Sequence, residues 1–354
     1  MTARWLVPFR IDMGVRAALA MAIPLCTLFA LGRLDLVVYA VFGAFTALYG
    51  RNEPYRVRIR SVSVGAIGML SGIALGLLFA VVGAPLLLLT LVLLVVVGVG
   101  VLVATVWDII PAQPLFFVFG LLVCARIPTH LSDVGLRFAV AFLSALLSAL
   151  LAMAGWLVRR ILLRWEIEPA TQAIFLKKLR RFPERDIAAL RDGKVWLTVT
   201  LNLLGVLIAG GIALSMNLSY AYWAVITVVA ALPSARAEHS ISRALHRTVG
   251  TIVGVGLTII VLGWSPPTVF VIGAIIVCQF FAQMLLGLSY GGSMVFITPL
   301  ALCVAYLATP RDLDALLLDR VVETVLGAAV AVALVLAARA FTHSSVRGTK
   351  AASR

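Results

Sequence analysis

Residues 222–256 read YWAVITVVAALPSARAEHSISRALHRTVGTIVGVG, in which two apolar runs flank a short connection that carries the charged residues. Each run is predicted to be a membrane helix, because charge is concentrated where the chain leaves the bilayer. Arg243 and Arg247 stand at the start of the second run, just before Gly250 and Gly254. The stretch therefore predicts a helix that begins with arginines at the membrane surface and continues into lipid as a row of glycines.

The composition of the whole chain indicates a membrane protein. Of its 354 residues 62% are hydrophobic and 12% are charged, with a mean hydropathy of +1.10, whereas soluble domains are about 45–50% apolar and about 25% charged. The net charge of +14 would suit a nucleic-acid-binding protein. The apolar fraction argues against that class, so we predict the lipid bilayer, and no nucleic acid, as a partner.

Long apolar segments recur from one end of the chain to the other. A spanning helix needs about 20 apolar residues, because the hydrocarbon core is about 30 Å thick. We predict an all-α fold, a polytopic membrane helix bundle of about twelve transmembrane helices. The predicted spans are residues 13–31, 34–49, 62–82, 84–106, 112–126, 136–158, 195–214, 218–233, 246–264, 267–288, 292–308 and 318–340.

A basic segment separates the first six predicted spans from the last six. It holds ten of the 29 basic residues, and apolar positions such as Phe175 alternate with them, which predicts an amphipathic interfacial helix. The predicted domains are residues 1–158 (first membrane repeat), 159–194 (basic amphipathic cytoplasmic linker), 195–341 (second membrane repeat) and 342–354 (basic cytoplasmic tail).

Basic residues also predict the orientation of the chain. If both termini are cytoplasmic, 24 of the 29 basic residues lie on the cytoplasmic side. Basic residues concentrate on that side of membrane proteins. We therefore predict a multi-pass protein of the cell membrane, plasma or inner, with both termini in the cytoplasm.

The two halves of the chain match each other weakly. Because six is an even number of spans, both halves would have the same orientation, as in transporters built from parallel repeats. At an offset of 183 residues the matched pairs are Tyr39 with Tyr222, Arg60 with Arg243, Trp107 with Tyr290, and Arg137 with Arg320.

Glycines at four-residue spacing follow the basic loop in each half. Gly68, Gly72 and Gly76 lie in the first half, and Gly250 and Gly254 lie in the second. Small residues at this spacing let helices approach closely in lipid. We predict tight packing at these glycines, and a moving contact surface or a pore lining remains open.

The second-half pattern resembles a known family. Tyr222-Trp223-Ala224, Arg243 with Arg247, and Gly250-Thr251-x-x-Gly254 are similar to the core signature of the fusaric acid resistance and aromatic acid exporter family (FUSC-like). The resemblance covers about residues 195–340, and more weakly 13–158. It implies a bundle of six-helix units that exports aromatic or related organic acids. The plant malate channels are distant relatives in the same group.

Few ionisable residues lie inside the predicted spans. Arg320 and Glu323 stand three apart, on one face of the last helix. Charged residues within a membrane are costly, so they are functional candidates. In one interpretation Arg320 attracts an organic anion and Glu323 carries a coupling proton. In the other, the two side chains neutralise each other and hold helices together.

Further polar and aromatic residues complete the predicted substrate pocket. Gln279 and Gln283 share one helical face, and their amides would hydrogen-bond a carboxylate without another buried charge. Tyr290 and Trp107 would shape the pocket, and Arg137 would assist Arg320. Interhelical hydrogen bonding by the glutamines and an aromatic belt at the membrane surface are the alternatives.

Motifs for catalysis and cofactor binding are absent from the sequence. It has no phosphate-binding loop, no dinucleotide fingerprint and no His-Glu-x-x-His pattern, and its four cysteines lack metal-ligand spacing. We predict no cofactor, no metal and no enzymatic activity.

Three functions agree with these features. The first is a secondary transporter that exports aromatic or related organic acids, driven by protons or by the membrane potential, with a small organic anion as substrate. The second is an organic-anion channel of the malate-channel type, for which a homodimer would provide a shared pore. The third is a non-transporting envelope scaffold that acts through residues 159–194.

Overall fold

A computed structural model describes residues 6–111, 113–164, 181–218, 220–232, 237–308 and 313–352. These residues contain twelve α-helices and no strand. Each predicted span corresponds to one of them. The helices are α1 (Leu6–Ala30), α2 (Val37–Ala44), α3 (Tyr55–Val82), α4 (Leu86–Val106), α5 (Leu115–Arg126), α6 (Leu131–Arg164), α7 (Gly193–Ser215), α8 (Tyr222–Ala231), α9 (Ala237–Leu262), α10 (Thr268–Leu285), α11 (Tyr290–Ala308) and α12 (Leu313–Ala352).

Nine of the described helices are long and apolar enough to cross a membrane. The other three are shorter: α2 has 8 residues, α5 has 12 and α8 has 10. A helix rises about 1.5 Å per residue, so α8 extends over about half of the hydrocarbon core. The predicted spans at 34–49, 112–126 and 218–233 therefore correspond to helices too short to cross the hydrocarbon core by themselves. Pro114 and Pro128, for example, flank α5 and interrupt helical hydrogen bonding there.

Equivalent helix pairs are in contact in the two halves. The packing of α2 on α6 corresponds to that of α8 on α12, and the packing of α3 on α5 corresponds to that of α9 on α11. The contacts between the two halves also come in equivalent pairs. The first helix of each half contacts the fourth helix of the other, so α1 contacts α10 and α7 contacts α4. The fifth helix of each half contacts the second helix of the other, so α5 contacts α8 and α11 contacts α2. Two six-helix repeats would produce this pattern, and the repeat itself stays a prediction.

The short helices lie in the interior of the bundle. All residues of α2 are buried, as are residues 223–231 of α8. The ring of Phe119, on α5, lies 4.9 Å from the ring of Phe42 and 4.7 Å from that of Trp223, measured between centroids. Phe119 thus joins the short helix of one half to the short helix of the other.

The glycine rows are the closest points of two equivalent helix interfaces. In each half, two glycines four apart lie so near the backbone of the fifth helix of that half that a Cβ atom would be 2.4–2.8 Å from a carbonyl oxygen. Tight packing is therefore confirmed at these positions. The contacts join Gly72 to Phe117, Gly76 to Leu121, Gly250 to Gly291, and Gly254 to Val295.

Replacing Gly254 with valine is expected to destabilise the protein by about 1–3 kcal/mol, the usual effect of overpacking. A Cβ atom at Gly254 would lie 2.6 Å from the Cβ atom of Thr298 and 2.8 Å from the carbonyl oxygen of Val295. Gly256 provides the matched control, because a Cβ atom there meets nothing within 4 Å. Thermal unfolding in detergent should show a lower Tm for Gly254→Val than for Gly256→Val. Equal Tm values would contradict the packing role of Gly254.

The last part of the linker is docked against the first half. Arg181 forms a 2.6 Å ion pair with Glu53, which is fully buried, and a 2.9 Å ion pair with Asp108. The N–H of Asp186 donates to the carbonyl of Val106 at 2.9 Å. The amphipathic helix predicted around Phe175 lies outside the described residues. At the other end of the chain, residues 342–352 continue α12.

Replacing Arg181 with glutamine is expected to release this segment, because it leaves the buried carboxylate of Glu53 without its ion pair. Hydrogen bonds to charged groups contribute about 1.5–3 kcal/mol, so the amide of Asp186 should exchange its hydrogen at least about tenfold faster. Arg191→Gln is the control, because Arg191 is exposed on the same segment. Hydrogen–deuterium exchange of residues 183–190 provides the measurement. Unchanged exchange in Arg181→Gln would show that the ion pair does not hold the segment.

Candidate anion-binding site

The interior of the second half contains a buried pair of ionisable residues on α12. Arg320 is 1% exposed and Glu323 is fully buried. They stand about one turn apart on α12, which packs against α8 and α9. The guanidinium carbon of Arg320 lies 3.7 Å from the ring centroid of Trp223, at the start of α8. Such a cation–π contact contributes about 2 kcal/mol when desolvated.

A second buried arginine reaches the same region from α9. Arg247 is 3% exposed. Its Nε donates to Oγ1 of Thr227 at 3.2 Å, and its Nη1 donates to the hydroxyl of Tyr290 at 3.5 Å. One turn earlier, the guanidinium carbon of Arg243 lies 4.3 Å from the ring centroid of Tyr290. Two buried cations and one buried acid therefore share an aromatic-lined interior.

Several donors in this interior have no acceptor among the described residues. They are Nε and Nη1 of Arg320 and the indole Nε1 of Trp223. Neither carboxyl oxygen of Glu323 has a hydrogen bond of normal geometry, although the backbone N–H groups of Tyr220 and Trp223 face it. Arg320 and Glu323 form no hydrogen bond with each other, and whether their charges neutralise each other stays a prediction. Buried polar groups are rarely left unsatisfied, so these donors indicate a place for an anionic acceptor.

The residues of the family signature surround this interior. Trp223 contacts Arg320, and the ring of Tyr222 lies 5.3 Å from that of Trp223. Arg243 and Arg247 contact Tyr290. Gly250 and Gly254 have a structural role instead, because they let α9 approach α11, which holds Tyr290 at its first position.

The two glutamines predicted for the pocket lie elsewhere. Gln279 and Gln283 are buried on α10, which packs against α1 and α11. The backbone carbonyl of Gln283 accepts a 3.2 Å hydrogen bond from Arg51. Neither amide contacts Arg320. Their shared helical face is as predicted, but α10 presents that face to other neighbours, so their part in substrate binding stays a prediction.

Trp107 and Arg137 are also separated from Arg320. The Trp107 ring lies between two guanidinium carbons, 5.4 Å from that of Arg60 and 5.0 Å from that of Arg185. Arg137 donates to the hydroxyl of Tyr39 at 3.0 Å and lies 3.7 Å from Asp133. The predicted single pocket is thus divided, because Trp107 and Arg137 belong to the first half and make their contacts there.

The first half reproduces the aromatic contacts of the second but not its charges. At the offset of 183 residues, Arg60 corresponds to Arg243 and Trp107 corresponds to Tyr290. The guanidinium group of Arg60 lies over the ring of Trp107, just as that of Arg243 lies over the ring of Tyr290. At the same offset, Val64 stands where the second half has Arg247, and Val140 stands where it has Glu323. The second half alone therefore combines both buried charges in this arrangement.

Sequence reasoning missed a group of buried arginines in the middle of α1 and at the start of α3. Arg16 and Arg58 are each 9% exposed, and they donate to backbone carbonyls of Ala47 and Ala152. Arg51 is nearby, and burial lowers the pKa of its guanidinium to about 10, so it stays charged at neutral pH. Arg16 lies within the first predicted span, which was a signal that it is buried.

Metal binding has no support in the part of the chain that the structure describes. No group of three or more His, Cys, Asp or Glu residues there could hold a metal ion. The chemistry available in the second half is recognition of an anion by guanidinium groups beside aromatic rings.

The fold and this buried charged interior define a polytopic helical membrane protein with a candidate anion site. Residues 207–334 match the fusaric acid resistance protein-like family (FUSC_2), which confirms over this part of the chain the family predicted from the sequence. The matched range contains every residue of the candidate site. Comparison with curated proteins and with solved structures gives no match. This match, together with the many apolar helices, favours a membrane transporter as the general class of protein.

Proposed function

We propose that this protein is a secondary transporter of the cell membrane that exports aromatic or related organic acids. The observation that carries the proposal is Arg320, a buried cation that lies 3.7 Å above the ring of Trp223 with two N–H groups unpaired. A carboxylate accepts hydrogen bonds from a planar guanidinium, and an aromatic ring supplies a face for the body of the substrate. The family match supports transport as the general activity.

Transport would depend on the balance of charge around Arg320. An incoming carboxylate would accept from Nε and Nη1 of Arg320 and from Nε1 of Trp223, which have no acceptor among the described residues. Arg247 would add a second positive charge to the same interior. In export coupled to protons, Glu323 would take up a proton from the outside after the anion has left, and would release it to the cytoplasm before the next anion binds. One proton would then enter for each anion that leaves.

Reconstituted vesicles test this proposal directly. Labelled benzoate and labelled cyclohexanecarboxylate, which are similar in size, would be supplied while the pH gradient and the voltage are imposed separately. Because both acids also cross a bilayer in their neutral form, the measured quantity is the flux above that of protein-free vesicles. We expect this flux to be concentrative, to depend on the pH gradient and to prefer benzoate. No flux of either acid above that of protein-free vesicles, under either gradient, would overturn the proposal.

The role of the Trp223 ring in selecting aromatic acids is tested with a separate pair of variants. Trp223→Leu should reduce the preference for benzoate over cyclohexanecarboxylate, because it removes the ring that contacts Arg320. Trp264→Leu is the control, since Trp264 is exposed outside the site. Loss of the preference in both variants would show that the selectivity does not arise at Trp223.

An organic-anion channel is the second candidate. The buried arginines of the first half, Arg16 and Arg58, favour it because they add cations to the interior of the bundle. In the same vesicles a channel would give flux that follows only the voltage and the gradient of the anion itself. Unitary currents without accumulation against a gradient would replace the transporter proposal with this one.

A further inference from the structure

A cavity of about 260 Å³ lies between the two halves, among α4, α5, α7 and α8. Its wall is almost entirely apolar, with leucine and valine side chains from all four helices. Leu86 and Leu207 line it and are also exposed, 57% and 43%, on the outer surface of the bundle. The cavity therefore reaches the surface that would face lipid.

The equivalent contact between the halves is close at Gly14. Where α1 packs on α10, Gly14 lies so close to Phe280 that a Cβ atom would be 2.8 Å from the ring. Where α4 packs on α7, a Cβ atom at Gly98 would be 3.9 Å from its nearest neighbours, Leu203 and Val199. At these two positions, α4 packs less closely on α7 than α1 packs on α10.

Two residues of the cavity wall, one charged and one aromatic, would not be needed in a groove that binds only lipid tails. Arg126, in the last turn of α5, places a positive charge at the cavity. Tyr222 lines the cavity and also neighbours Trp223, with 5.3 Å between ring centroids. Because Trp223 contacts Arg320, the rings of Tyr222 and Trp223 connect the cavity to the charged interior of the second half.

We propose that this cavity is a second binding site for an amphiphilic organic carboxylate, which it exchanges with the bilayer. The apolar body of the ligand lies among the leucines, and its carboxylate lies at Arg126. The inference rests on the proposed function, since the same class of ligand would pass Tyr222 to reach Arg320. A cation such as Arg126 is also favoured at a helix C-terminus for reasons of its own, so the experiment has to separate ligand binding from that role.

Photolabelling in vesicles, without any gradient, provides the test. The probe is 4-benzoylbenzoate, an aryl carboxylate whose ketone is photoreactive, and its methyl ester is the neutral comparison. We expect the acid to label residues of α4 and α7, and the ester to label them at least about tenfold less, because a hydrogen bond to a charged group contributes about 1.5–3 kcal/mol. Arg126→Gln should remove the difference between acid and ester.

A filling variant checks that the label enters the cavity. A Cβ atom at Gly211, which lines the cavity, meets nothing within 4 Å, so Gly211→Leu can extend into the space. Gly256 is equally open and exposed on α9, away from the cavity, so Gly256→Leu is the matched control. Labelling of α4 and α7 should fall in Gly211→Leu and persist in Gly256→Leu.

The outcomes separate this inference from the proposed function. Equal labelling by acid and ester, unaffected by Arg126→Gln, would overturn the inference and identify the cavity as a groove for lipid tails. Charge-dependent labelling supports the inference, even if no acid is transported and the proposed function fails. A third outcome is that the unaltered protein shows no labelling of α4 and α7 while Gly211→Leu still transports. It would overturn the inference and leave the proposed function standing.

Discussion

Arg320→Gln is expected to lower the flux of benzoate at least about tenfold. Arg320 is the buried cation with unpaired donors beside Trp223, and loss of a hydrogen bond to a charged group costs about 1.5–3 kcal/mol, a factor of about 10 to 150. Arg320→Lys should keep part of the activity, because it retains the charge but not the planar, bidentate donor group. Initial rates of uptake over a range of benzoate concentrations provide the measurement.

Controls for Arg320 must separate binding from folding. Arg33→Gln is the comparison on the surface, because Arg33 forms an exposed ion pair with Asp35. Thermal unfolding of each variant shows whether Arg320→Gln still folds with Glu323 buried nearby. A folded Arg320→Gln variant with the benzoate rate of the unaltered protein would contradict the assignment of Arg320. If Arg320→Gln does not fold, the rates of Arg320→Lys still test whether Arg320 binds the substrate. If Arg320 has only a structural role, the apparent affinity of Arg320→Lys for benzoate should be unchanged.

Glu323→Gln is expected to abolish accumulation driven by the pH gradient while exchange of benzoate for benzoate continues. Glutamine keeps the shape of the side chain but cannot gain or lose a proton. Glu323 is fully buried, and both of its oxygens lie without a normal hydrogen bond among the described residues. Buried acids of this kind in membrane proteins are the usual carriers of coupling protons.

The two transport modes must be measured on the same vesicles. Asp319→Asn is the control, because Asp319 is a neighbouring acid on α12 that is only partly buried. It should retain most of the dependence on the pH gradient. Accumulation that is unchanged in Glu323→Gln would remove Glu323 from the coupling mechanism. Loss of exchange together with accumulation would indicate a structural role for Glu323 rather than coupling.

Much of the architecture is predictable from the sequence. Each of the twelve predicted spans corresponds to a helix, because apolar runs interrupted by proline, glycine and charge are local signals. The four-residue glycine spacing also predicts close packing, since it places all its members on one face of a helix. The family signature around Trp223 and Arg247 is likewise a local pattern.

The length of α8 is a case in which the local signals are incomplete. The apolar run from 218 to 233 predicts a span, but the helix occupies only Tyr222–Ala231. In lipid, backbone outside a helix must be satisfied by other protein groups. The helix α8 is buried, and its neighbours α5, α7, α9 and α12 surround it with protein instead of lipid. Hydropathy does not reveal such neighbours, because they come from distant parts of the chain.

The sequence by itself determined the class of protein, the order of its helices, the packing role of its glycines and the presence of two ionisable residues on one face of α12. Only the tertiary structure decided that Arg320 meets Trp223 and that Arg247 reaches the same interior, while Gln279 and Trp107 do not. Periodicity states which residues share a face of a helix. It does not state which helix that face meets, because contacts between helices distant in sequence depend on the packing of the whole bundle.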